Sequence, residues 1–213
     1  MEFSDLGSGF KLALRDLEIR GGGELLGVRQ HGYVNEVGLS LYCDLVANEV
    51  KKLKGIPTVK TLYATTNLKI PAFIPPDYLP NDNERLRYYK EIMTGDYQTK
   101  KMLLAKLEDM AGKAPQEVLN LIEVMQLSLD GGKINIRHIE GGDNYTEFYF
   151  TRDFKMPDNS LSLLFETFRQ NLKFLPAPNG DGIRIYHPQG DILNNAKKIL
   201  HTLTMIIPSK TNV

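Results

Sequence analysis

Two alternating apolar runs, Lys133 to Ile139 and Tyr145 to Thr151, are joined across Gly141-Gly142-Asp143-Asn144, and this junction limits the possible folds more than any other stretch. Alternation at a period of two indicates half-buried strands, and a short link rich in Gly, Asp and Asn makes such neighbours an antiparallel hairpin. The pattern recurs near the C-terminus. Lys173 to Ala177 and Gly182 to His187 pair around Asn179-Gly180-Asp181-Gly182.

The residues ahead of the first hairpin carry helical periodicity instead. Asn81, Asp82 and Asn83 offer N-caps for a helix running to about Met93 and closed by Gly95. A second helix is predicted over Tyr97 to Ala111 and a third over Pro115 to Leu129, with Val118, Leu119 and Ile122 turned toward Ile134, Ile136, Phe148 and Phe150. Between and after the strand pairs, helices are predicted over Leu161 to Gln170, capped by Asn159 or Ser160, and over Asp191 to Ile206. Leu68, Ile70, Ala72 and Ile74 alternate, which predicts a strand that Pro71 confines to an edge or a bulge. Runs of helices followed by adjacent strands indicate an α+β fold, a small antiparallel sheet covered by helices.

Upstream lies a different pattern. Phe10, Ala13, Leu14 and Leu17 recur at helical spacing, which places Arg20 at the end of a helix. Gly21, Gly22 and Gly23 then free the chain to reverse sharply, and a short polar arm from Glu24 to Gly32 follows, carrying Gly27, Arg29, Gln30 and His31. A second helix is predicted from about Asn35 to Lys54, with Lys51, Lys52 and Lys54 in its last turn and Gly55 ending it. Ile56 and Pro57 read as a linker, so the expected division is a helical hairpin over residues 1–56 and an α+β domain over residues 57–213.

Charge and composition exclude several functions. The chain of 213 residues has 26 basic and 26 acidic side chains, and residues 1–60 hold eight of each, so no basic excess is available to grip duplex DNA. No G-x-x-x-x-G-K-[ST] phosphate loop is present, and Leu26 occupies the third glycine position of a dinucleotide fingerprint begun by Gly21 and Gly23. His31, His138, His187 and His201 lack ligand spacing, no serine lies in a nucleophile elbow, and the turn at Asn179 to Gly182 lacks the closing glutamate of a calcium loop. The expectation is therefore no catalytic residue, no metal and no cofactor within this chain. Cys43 reads as a buried thiol, and the N-terminus shows no apolar signal segment, which leads to an expected cytoplasmic location without a membrane partner.

The run DLEIRGGGELLG with Gln30 and Gly32 resembles the translocation motif shared by RecG-type junction helicases and the transcription-repair coupling factors (the Mfd family). Downstream, IPPDYLPNDNERLRYYKEI and GKAPQEVLNLIEVMQL resemble segments of the terminal domain of the coupling factors, which favours that family over the junction helicases. The resemblance implies the C-terminal part of an ATP-dependent double-stranded DNA translocase, with ATP and Mg bound by motor domains elsewhere. It implies that Arg20 and Gln30 couple ATP hydrolysis to stepping, within the hairpin and arm formed by Gly21, Gly22, Gly23, Gly27, Arg29 and His31. Gly22 stands where the family usually has alanine. The implied partners are the motor domains, RNA polymerase, the excision-repair protein UvrA and an N-terminal UvrB-like module whose UvrA-binding surface the terminal domain masks. A RecG-like end and a stand-alone protein-interaction module are the alternatives.

Overall fold

The computed structural model describes residues 63–178 and 180–209. Strand β1 (Thr65–Asn67) is followed by three helices, α1 (Asp82–Thr94), α2 (Tyr97–Ala111) and α3 (Gln116–Lys133). The hairpin β2 (Ile136–Gly141) and β3 (Tyr145–Phe150) comes next, then α4 (Asp158–Phe168), the pair β4 (Leu172–Leu175) and β5 (Gly182–Tyr186), and α5 (Ile192–Ile206). The sheet order is β1-β2-β3-β5-β4, antiparallel throughout except that β1 runs parallel to β2. The α+β class stands, and the parallel edge strand is an addition to it.

That edge strand is not where the apolar alternation placed it. Residues 68–74 follow β1 as a loop, although Leu68, Ala72 and Ile74 are buried. Lys69 takes φ 54 and Pro71 has no N–H to donate, so the segment keeps the alternating burial of a strand without a partner ladder. Other elements hold it down. The Ile74 N–H donates to the Tyr89 hydroxyl at 2.7 Å and Asn120 Nδ2 donates to the Pro71 carbonyl at 2.8 Å; further along the chain the buried Arg85 donates from Nη1 to the Leu79 carbonyl at 2.6 Å.

Helix ends follow local chemistry. Asp96 and Asp191 cap α2 and α5 by accepting from the N–H groups of Thr99 at 2.8 Å and Asn194 at 3.0 Å. Helices α3 and α4 instead begin directly after Pro115 and Pro157. Ser160, expected as a cap, is buried inside α4 and donates from Oγ to the Ile206 carbonyl at 2.8 Å, which ties α4 to the end of α5. Helix α3 continues through Gly131 and Gly132 to Lys133 rather than stopping at Leu129. A Cβ on Gly131 would stand 3.2 Å from the Ala64 Cβ and 3.3 Å from Ile139 Cδ1, so the glycine marks a close approach of helix to sheet.

Helices α3, α4 and α5 all lie on the face bearing Ile136, Ile139, Phe148, Ile183 and Ile185. Gly131 of α3 meets Ile139, Ile192 of α5 meets Gly141, and Phe165 of α4 meets Phe174 of β4. The buried side of α3 is Val118, Leu121, Val124 and Met125; Leu119 and Ile122 are only partly buried. Of the expected core strand residues, Ile136, Phe148 and Phe150 lie in β2 and β3, but Ile134 caps the end of α3 ahead of β2, and the helix is rotated by about a third of a turn from the expected phase. Helices α1 and α2 extend this layer through buried Tyr88, Ile92, Leu103 and Leu107.

Candidate functional site

The opposite face of the sheet is polar and aromatic, and its layout follows from strand register. Directly paired residues share a face. One row across the sheet runs Thr65, His138, Tyr149, Gly182 and Leu175, and the next runs Asn67, Glu140, Glu147, Arg184 and Lys173. Tyr145 and Tyr186 pair in a third row. A bulge between Ile136 and His138 leaves Arg137 as an extra residue in β2. An inserted residue re-aims side chains, and here Arg137 reaches the Tyr149 ring of this polar face. Its Nε donates to the Phe150 carbonyl at 3.0 Å, and its guanidinium carbon stands 5.4 Å from the Tyr149 ring centre.

Glycine allows the aromatic rings to lie along the sheet. A Cβ on Gly182 would come within 2.7 Å of Tyr149 Cδ1, so the Tyr149 ring leans across from β3 and covers the glycine of β5. Tyr145 covers Gly142 in the same way.

Two carboxylates, Glu140 and Glu147, sit directly opposite each other, an arrangement that repels unless each is neutralised. Arg184 donates to Glu147 Oε1 from Nε at 2.8 Å and also from Nη2, while the Tyr149 hydroxyl donates to Glu147 Oε2 at 2.8 Å. Asn67 Nδ2 donates to Glu140 Oε1 at 3.2 Å, and His138 Nε2 lies 3.3 Å from Glu140 Oε2. Thr65 Oγ1 stands 2.7 Å from His138 Nδ1 on the far side of the ring. Burial, and then the Glu147 carboxylate beside it, push the Tyr149 phenol above its usual range. Hydrogen bonds to Tyr186 and Glu147 hold the Arg184 guanidinium further above its own. The Arg184 guanidinium also sits 4.3 Å from the Tyr145 ring centre, a cation–π contact.

Charge also gathers in two other places. An open cleft of about 590 Å³ between α3 and α5 is lined by charges that pair with one another, Lys197 with Glu123 at 2.5 Å and Lys133 with Asp130 at 2.7 Å. The buried Lys100 ammonium donates to Gln126 Oε1 at 3.1 Å; burial lowers its pKa, against the pull of Asp130. Among the described residues no cluster of three or more His, Cys, Asp or Glu could hold a metal ion, and no helix is long and apolar enough to cross a membrane.

The residues singled out in the sequence, Arg20, Gly21, Gly22, Gly23, Gly27, Arg29, Gln30 and His31, all lie outside the described residues, as does the proposed boundary at residues 56–57. Sequence reasoning passed over the polar sheet face. Its signal was present as the outward half of the strand alternation, Tyr145, Glu147 and Tyr149 against Arg184 and Tyr186.

Fold and face together define a two-layer α+β domain with a mixed five-stranded sheet, and residues 68–161 match the TRCF domain family. The chain is similar to the transcription-repair-coupling factor of Myxococcus xanthus, 31% identical over 207 residues that cover 95% of this chain. It is likewise similar to those of Escherichia coli K12, 37% identical over 145 residues, and Haemophilus influenzae, 39% identical over 144, each covering 65% of this chain. The chain spans 17% of the length of the first relative and 13% of each of the other two. The crystal structure of a C-terminal domain of a transcription-repair coupling factor superposes with a TM-score of 0.58 at 20% identity, covering 72% of this chain and all of that one, which establishes a shared fold. The chain thus carries a TRCF domain and is homologous to the C-terminal region of transcription-repair coupling factors.

Proposed function

We propose that this chain acts as the C-terminal portion of a transcription-repair coupling factor, an ATP-dependent double-stranded DNA translocase that displaces stalled RNA polymerase and recruits nucleotide-excision repair. In this reading residues 57–213 form the regulatory domain that packs on an N-terminal UvrB-like module and masks its UvrA-binding surface. Residues 1–56 form the helical hairpin in which Arg20 and Gln30 couple ATP hydrolysis to translocation. The observation that carries the reading is the TRCF domain match over residues 68–161, on a fold shared with a solved C-terminal domain. The same match counts against a RecG-like junction helicase, whose resemblance is confined to the glycine-rich stretch. The alignment with the Myxococcus xanthus relative covers 95% of the chain and so extends upstream of the TRCF domain, as the reading requires.

ATP and Mg belong to motor domains outside this chain, which has no phosphate loop of its own. The chain therefore neither binds nor hydrolyses ATP, and with zero net charge it holds duplex DNA no tighter than about 10⁻⁴ M at physiological salt. The test is competition. The purified chain, added to the UvrB-like module of the coupling factor from the same organism, should reduce capture of UvrA in proportion to its concentration. Undiminished capture at saturating chain would refute the mask.

A further inference from the structure

The polar sheet face carries free cationic donors beside aromatic rings, and its acceptors are already engaged. Glu147 is held by Arg184 and Tyr149, and Glu140 by Asn67 and His138. Among the described residues, Arg137 commits only Nε, to the Phe150 carbonyl, and its two Nη groups have no hydrogen-bond partner. Lys173, at the other side of the face, is exposed and makes no ion pair among the described residues. The charge left over for a ligand is therefore positive, although the face contains two glutamates.

Shape and chemistry narrow the ligand further. Tyr149 lies over Gly182 on the central strands, with Arg137 against its ring and Leu175 next in the row. Tyr145 and Tyr186 continue the aromatic surface on either side of the Arg184 guanidinium. Flat rings interleaved with guanidinium groups on an open sheet are the means by which single-stranded nucleic acid is held, bases stacking on the rings while cations meet phosphates. An acidic peptide would use the cations and leave the rings unused. Duplex DNA hides its base faces and requires a broad basic surface, which a neutral chain lacks.

We propose that this sheet face binds single-stranded nucleic acid, with Tyr149 as the central stacking residue and Arg137 and Lys173 as phosphate contacts. Each base stacked on an aromatic ring contributes enough that its loss weakens binding by about tenfold. The proposal does not rest on the masking role and stands whether or not that role holds.

The test is fluorescence anisotropy with the whole 213-residue chain and labelled oligothymidylate and oligouridylate of about 20 nucleotides, beside a duplex of equal length, a span that exceeds the site size of one small domain. Single strands should bind with an affinity on the order of 10 µM, falling as salt rises, and the duplex far more weakly. Tyr149→Leu, which keeps an apolar group over Gly182, should weaken binding by about tenfold. Lys173→Glu, at an exposed site that does not bear on folding, should weaken it several-fold, and its salt slope should be shallower. No binding at about 100 µM strand would overturn the proposal. So would equal affinity for the duplex, affinity unchanged in both variants, or displacement of the strand by a poly-glutamate peptide of matched charge, which would make the ligand an acidic protein segment.

Discussion

Arg184 on β5 and Glu147 on β3 face each other across the antiparallel ladder, and the guanidinium grips one carboxylate oxygen through both Nε and Nη2. Glu147 is only 8% exposed, so its charge depends on that grip. Arg184→Leu strands the carboxylate with the Tyr149 hydroxyl and should cost about 3 kcal/mol, the lower end for a broken buried pair because Arg184 itself reaches solvent. Replacing both, Glu147→Leu with Arg184→Met, should recover most of that loss. Urea unfolding of the wild type, the single variant and the double variant measures it, and a double variant no more stable than Arg184→Leu would contradict the account.

Helix phase gives the second prediction. Leu121 is 1% exposed and packs in the core, whereas Ile122 lies at its margin. Leu121→Ala should cost about 2 to 5 kcal/mol, and Ile122→Ala distinctly less, about 1 to 2 kcal/mol. Equal losses in denaturant unfolding would return the helix to the phase first expected from the sequence.

The third concerns the close contact at Gly182. Its backbone is extended, so alanine is not barred by φ, but a Cβ would drive into Tyr149 Cδ1 at 2.7 Å and the Phe148 carbonyl at 3.1 Å. Gly182→Ala should destabilise by about 1 to 3 kcal/mol as an overpacked site, and adding Tyr149→Ala should relieve part of that penalty. Strict additivity of the two substitutions in thermal unfolding would mean that the ring does not cover the glycine.

Lys100 supplies a pH dependence with a defined sign. Burial lowers its pKa in the folded chain, so between that value and the unfolded value of about 10.4 the unfolded chain binds more protons. Stability contributed at this site therefore rises with pH across that window and is flat below it. Relative to Lys100→Met, the wild type should gain stability as the pH rises toward the unfolded value of about 10.4, read by chemical denaturation at each pH. Parallel curves for the two proteins would show that the ammonium is not held out of water.

Much of this architecture was legible because local chemistry and tertiary packing agreed. The link at Gly141 to Asn144 made a hairpin as its composition demanded, and α2 spans Tyr97–Ala111 as predicted because Asp96 caps it and Gly112 ends it. The misses have physical causes. Leu68 to Ile74 alternates in burial because a loop packs on the core and is tied down by Tyr89 and Asn120, and a linear pattern does not distinguish such a loop from a strand. Gly131 and Gly132 ordinarily weaken a helix, but the fit of Gly131 against Ala64 and Ile139 offsets that cost. The polar face eluded the sequence because it depends on a bulge at Arg137 and on pairing of β3 with β5, residues about 37 apart that no local periodicity connects.

The proposal that residues 57–213 restrain a coupling factor by covering its UvrA-binding surface is tested by UvrA affinity measured on the longer protein with and without those residues. Removal of the mask should raise the affinity by about tenfold, within the range of coupling free energies between sites, while DNA-dependent ATP hydrolysis by the motor persists. UvrA affinity unchanged by the removal would contradict the account.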